Sequence, residues 1–118
     1  MVRTEDINDW VEAWNAYDLD RIMLHYADSI EFTAQTVVSR WNKPDGKLNG
    51  KEDLRQHFRK GLDLAPNVHF TIEEILYAPN GYAVLYRREN GNRVLDAVEL
   101  DKTGLAIKVT AYYLDRQS

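Results

Sequence analysis

Residues 82–113 read YAVLYRRENGNRVLDAVELDKTGLAIKVTAYY, and this stretch decides the fold class. Three blocks rich in Val, Leu, Ile and Tyr, namely Tyr82 to Arg88, Arg93 to Leu100 and Leu105 to Tyr113, are parted by Asn90-Gly91 and by Asp101 to Gly104. Asn-Gly is a strong hairpin signal, because both central positions of the tight turn need φ > 0. Blocks of this composition between such turns predict consecutive antiparallel strands. Immediately upstream, Val68 to Tyr77 predicts a further strand, closed by the turn Pro79-Asn80-Gly81.

Towards the amino terminus the period changes. Lys51 to about Leu64 predicts a helix with Leu54, His57, Phe58, Gly61 and Leu62 facing inward, stopped by Pro66. Trp41 to Gly50 holds Asn42, Pro44, Asp45, Gly46 and Asn49 and reads as loop or hairpin turn. Ile30 to Val38 reads as a strand with Ile30, Phe32 and Ala34 on one face. A short helix capped by Asp18 carries Leu19, Ile22, Met23 and Tyr26 on one side and ends at Asp28-Ser29. The first helix is capped at Thr4, and Ile7, Trp10, Val11 and Trp14 fall at i, i+3, i+4 and i+7. The expected class is α+β: a cone-shaped, curved antiparallel sheet wrapped around three helices from the amino-terminal half.

At 118 residues the chain predicts a single domain, 1–118, large enough for one core. Lys plus Arg number 15 and Asp plus Glu 19, a formal charge of -4. This mild acidity argues against nucleic acid or an anionic membrane as partner, since both need a basic face. Cysteine is absent, which removes disulfides, thiolate nucleophiles and cysteine metal sites. Met1 to Asp6 has no apolar signal core, and the longest apolar run, Tyr82 to Tyr86, is far too short for a membrane span. The expectation is a cytoplasmic protein.

Trp14 to Asp20 (Trp-Asn-Ala-Tyr-Asp-Leu-Asp), followed by Tyr26-Ala27-Asp28 and Ile30-Glu31-Phe32, resembles the opening of SnoaL-like domains. These form the ketosteroid-isomerase-like branch of the nuclear transport factor 2-like superfamily. Gly50 to Phe58 resembles their third helix, and Asp96 to Tyr113 their last two strands. The resemblance implies a cone-shaped sheet with an apolar pocket at its wide end. It spans isomerases, cyclases, dehydratases, epoxide hydrolases and non-catalytic binding modules, so it does not by itself assign an activity. Ketosteroid isomerases use a carboxylate base on the first strand, a tyrosine from the first helix and a protonated aspartate on a later strand. By the resemblance those positions fall here on Ala34, Trp10 and Asp96, and an aromatic position of the third helix falls on His57. Two of three catalytic parts are therefore replaced.

Asp96 shares its parity with Val94, Val98 and Leu100, although Leu95-Ala97 on the other face is apolar too. A carboxylate on an apolar face costs several kcal/mol unless it is neutralised or bonded. Either it meets an arginine such as Arg87 or Arg88, or it is functional. His57, on the inward arc of its helix, is either a border histidine or an acid–base group. Asp96 and His57 are thus the catalytic candidates. The ligand-binding candidates are Trp14, Tyr17, Phe32, Trp41, Phe58, Phe70 and Tyr86, more large aromatics than a cone fills with core. Trp41, in its polar loop, either caps the cavity or closes a dimer contact. Arg87, Arg88 and Arg93 read as solvated hairpin charges. Three scattered histidines give no metal motif, and no cofactor is implied. The expected protein is a homodimer that acts on a small, largely apolar ligand with a carbonyl, epoxide or hydroxyl group by acid–base chemistry. A non-catalytic ligand-binding or dimerisation module is the alternative. If Asp96 and His57 touch, the histidine pKa rises and the aspartate pKa falls; if they do not, desolvation raises that of Asp96.

Overall fold

The computed structural model describes residues 4–114. Met1 to Arg3, part of the stretch read for a signal segment, lie outside the described residues. Helix α1 runs Thr4–Asn15 and α2 Leu19–Met23; strand β1 is Tyr26–Thr33; α3 is Gln35–Trp41; β2 is Lys47–Asn49; α4 is Lys51–Leu64. Strands β3 (Phe70–Ala78), β4 (Gly81–Arg88), β5 (Arg93–Leu100) and β6 (Ala106–Tyr113) complete the chain. The class is α+β, with one curved, unclosed six-stranded sheet in the order β2-β1-β6-β5-β4-β3.

The meander β3 to β6 is antiparallel throughout. The sheet as a whole is not, because β1 lies parallel to β6, with Phe32 beside Val109 and Thr33 beside Thr110. The expected all-antiparallel sheet is corrected in that one pair: β1 and β6 are far apart in sequence, so no hairpin turn fixes their direction. The turn before β4 explains one glycine. A Cβ on Gly81 would stand 1.9 Å from the Val98 carbonyl oxygen, so only glycine lets the strands meet there.

The stretch from Tyr26 to Gly50 departs from the sequence reading. Tyr26, Asp28 and Ser29 are strand, not helix end, and Gln35 to Trp41 is a fourth helix, not the continuation of a strand. The β-branched pair Val37-Val38 favours a strand locally. Tertiary contacts override it: the Ala34 amide donates to the Gly46 carbonyl at 3.0 Å, and Asn42 ends the turn in left-handed geometry at φ 55. Gly46, at φ 65, brings its backbone so close to Ala34 that a Cβ would lie 2.9 Å from the Ala34 oxygen. Lys47 to Asn49, expected in a loop, then pairs with β1 from Thr33 to Glu31.

α1 packs against β3 and α4 against β1. Asn15 ties the first contact: its amide nitrogen donates to the Phe70 carbonyl at 3.1 Å and its oxygen accepts from the Phe70 amide at 2.7 Å. Trp10, Trp14, Tyr26, Phe32, Phe58, Phe70 and Tyr86 form the aromatic part of the core, with Trp14 stacked on Phe70 at 5.1 Å and Phe70 tilted against Tyr86 at 4.5 Å. Among the described residues no helix is long and apolar enough to cross a membrane.

Candidate functional site

Strand parity aims the site. On β5, Val94, Asp96 and Val98 are buried while Leu95 and Ala97 lie on the outer face. The register sets Val84, Asp96 and Ala111 in one rung across β4, β5 and β6, and Tyr86, Val94 and Tyr113 in the next. The inner face of these rungs and the facing side of α4 leave a cavity of about 80 Å³ between them. Its walls include Trp14, Phe32, Phe58, Phe70, Tyr86, His57 and Asp96, together with Trp10 and Tyr26. Trp10 packs in the core, and its indole also donates to the Tyr26 hydroxyl at 2.9 Å.

Asp96 is 5% exposed. Among the described residues no arginine or lysine pairs with it. Arg87 instead meets Glu73, and Arg88 meets Glu89. The hydrogen-bond partner of Asp96 is the Tyr86 hydroxyl, which donates to Oδ1 at 3.5 Å. Burial dominates and pushes the carboxyl up to about 7, with the Tyr86 bond pulling slightly the other way. Near neutrality this group is therefore divided between acid and carboxylate.

His57 is 2% exposed and behaves in the opposite sense. Burial, and then the nearby Arg40 charge, lower its pKa to about 4, so the ring is neutral. Trp41 Nε1 lies 2.9 Å from His57 Nδ1. An indole nitrogen only donates, so Nδ1 accepts and the imidazole proton resides on Nε2. That Nε2–H faces the Thr36 hydroxyl at 3.2 Å. With its lone pair taken by Trp41, His57 is a donor rather than the acid–base group expected. It makes no direct bond to Asp96, whose raised pKa is the outcome expected without contact.

Two ligand-binding candidates stand elsewhere. Tyr17, at φ 59, lies outside the cavity, where its hydroxyl donates to the Ala65 carbonyl at 2.7 Å and accepts from the Val68 amide at 3.1 Å. It staples the end of α4 to the segment leading into β3. Trp41 is not in a loop and does not line the cavity; it sits at the end of α3 and orients His57 from behind.

The sequence profile of the SnoaL-like domain matches residues 7–113. The chain belongs to the SnoaL-like family. No curated protein sequence matches it. The SnoaL-like domain here is similar to a SnoaL-like protein of unknown function from Burkholderia thailandensis, at 32% identity and a TM-score of 0.87 over 92% of this chain and 90% of that one. It is similar in fold to TerC, co-crystallized with polyporic acid, at 11% identity and a TM-score of 0.75 over 93% and 89% of the two chains. A SnoaL-like family protein from Agrobacterium tumefaciens, for which isomerase activity is conjectured, gives 15% identity and a TM-score of 0.72 over 94% and 96%. The last two likenesses concern the fold alone.

The SnoaL-like cavity has a polar mouth that sequence reasoning missed. Thr36 and Arg40 project from one side of α3, being four residues apart. Tyr113 and Arg88 project from β6 and β4. The Tyr113 hydroxyl is 3.5 Å from Thr36 Oγ1. Arg40 donates weakly to the His57 carbonyl at 3.4 Å, and burial lowers its pKa. It lies against Gly61, where a Cβ would come within 3.2 Å of its guanidinium. A mid-helix glycine costs roughly 1 kcal/mol relative to alanine; here it leaves room for the Arg40 guanidinium. The available signal for Arg88 was parity, since it follows Tyr86 by two on the inward face of β4.

Proposed function

We propose that this SnoaL-like domain is an acid–base enzyme for a small carbonyl compound, with Asp96 as the group that exchanges protons and Tyr86 as a supporting donor. The observation that carries it is a fully buried carboxyl with no cation beside it, on the wall of a cavity, with a phenol hydroxyl at 3.5 Å. An acid–base group works best when its pKa lies near the working pH, and burial brings Asp96 to about 7. As carboxylate it takes a proton from the carbon next to the carbonyl. The C–H pair becomes the enolate, whose charge develops on oxygen and is met by the Tyr86 O–H. Returning the proton to another carbon completes an isomerisation with no cofactor. His57 serves as a neutral wall donor held by Trp41.

The test is deuterium exchange into small ketones and keto acids in D2O, read by proton NMR, beside a 13C titration of the Asp96 carboxyl. The reading expects exchange that Asp96→Asn abolishes and a midpoint near 7. Exchange indifferent to Asp96→Asn, or a carboxyl that titrates near 4, sinks it and leaves a binding module. The outer sheet face, with Leu76 and Tyr112 more than half exposed, supports a homodimer, and the proposed location is the cytoplasm. Sedimentation that finds only a 13.7 kDa species at micromolar concentration refutes the dimer.

A further inference from the structure

The cavity is small. A cavity of about 80 Å³ takes only a handful of small groups, since one water needs roughly 10–15 Å³ of such space. A ligand seated at Asp96 therefore fills the interior with a few atoms and extends towards the mouth. What it meets there is positive. Arg40 and Arg88 both line the cavity, and the Arg88 charge helps to lower the pKa of Arg40, after burial. Arg40 has no carboxylate within ion-pair distance among the described residues, and Arg88 gives one nitrogen to Glu89 at 3.0 Å. Two buried side-chain donors lack an acceptor among the described residues, and both belong to this wall: Arg88 Nε and Trp14 Nε1. Buried polar atoms are nearly always bonded, so unmet N–H groups on a cavity wall mark where an acceptor belongs. In a chain of net charge -4, a local excess of guanidinium at a cavity mouth is a site and not a general property of the surface.

We infer that the ligand is a carbonyl compound bearing a carboxylate, with the carbonyl end at Asp96 and Tyr86 and the carboxylate between Arg40 and Arg88. The substrate class rests on the reading of Asp96 given above. The sheet supplies a ruler. Arg88 is four residues beyond Val84, which pairs with Asp96, so its Cα stands about 13 Å along the strand from the Asp96 rung. A planar guanidinium pairs well with a carboxylate, and Thr36 and Tyr113 add hydroxyl donors at the same opening.

Calorimetric titration of the whole protein with 4-oxopentanoate and 5-oxohexanoate, each against its methyl ester, tests this. The acid is expected to bind at least tenfold more tightly than the ester. Arg40→Ala and Arg88→Ala each reduce binding of the acid fivefold or more and leave the ester unchanged, and added NaCl weakens only the acid. Equal affinity of acid and ester overturns the inference, as does an acid preference that survives both alanine substitutions, or no saturable binding of either acid. Where an alanine variant fails to fold, the salt dependence of the wild-type protein decides. Asp96→Asn keeps the acid-to-ester ratio, so a preserved ratio without proton exchange in the wild type removes the catalytic reading alone.

Discussion

Asp96 and His57 have pKa values displaced in opposite directions, and stability measured against pH exposes this. In the folded chain Asp96 holds its proton up to about 7, against 3.8 ordinarily. Between those values the folded state binds the extra proton, so the contribution of Asp96 is fully present below 3.8 and is lost as pH rises through 7. His57 titrates at about 4 in place of 6.5. Here the unfolded state binds the extra proton, so its contribution is present above 6.5 and is lost as pH falls through 4. The gaps amount to about 4.5 kcal/mol for Asp96 and about 3.5 kcal/mol for His57 at roughly 1.4 kcal/mol per tenfold change in proton affinity. From pH 4.5 to 6.0 the two slopes oppose each other and nearly cancel. Asp96→Asn leaves the His57 slope alone, so stability should rise by about 2 kcal/mol across that interval relative to wild type. His57→Gln leaves the Asp96 slope, and stability should fall by about 2 kcal/mol. Urea unfolding followed by tryptophan fluorescence at the two pH values measures both. If Asp96→Asn tracks the wild type in parallel, the aspartate titrates normally and no cavity acid exists.

Trp41→Phe removes the donor to Nδ1 of His57. Histidine 15N shifts should then show the Nε2–H tautomer losing its dominance, at a cost of about 1 kcal/mol in stability; an unchanged tautomer would mean that Trp41 does not set it. Tyr17→Phe removes both bonds of the staple between Ala65 and Val68. It should cost about 1–3 kcal/mol in urea unfolding while the affinity for keto acids stays the same, and a loss of affinity would return Tyr17 to the binding site.

Most of the frame was legible because its signals are local. Gly50 and Pro66 bracket α4, and Asn90-Gly91 sets the β4–β5 turn. Alternation along β5 left the direction of Asp96 open, since Leu95 and Ala97 are apolar too, and the structure turns Asp96 inward with Val94 and Val98. The reading of α3 failed because Val37-Val38 carries a strand preference that the approach of Gly46 to Ala34 overrules, a contact with no trace in a window of seven residues. With α3 misread, Thr36 and Arg40 lost their place at the mouth, and Trp41 was put in a loop. Arg88 was missed for another reason: a long side chain with a charged tip is ordinarily solvated, and that expectation outweighed its shared parity with Tyr86, which the register bears out.

The one parallel pairing has a consequence for how the chain reaches its native state. The meander β3 to β6 joins neighbours in sequence and can close one turn at a time. β1 must wait, because its partner holds Ala106 to Thr110, more than seventy residues further on, and closing so wide a loop is slow. Until β6 arrives, β1 and its short partner β2 make only a two-stranded ribbon, too little to stand alone in water. During synthesis, therefore, the helices and β1 have no completed sheet to cover, and their apolar faces stay open to chaperones until β6 has been made.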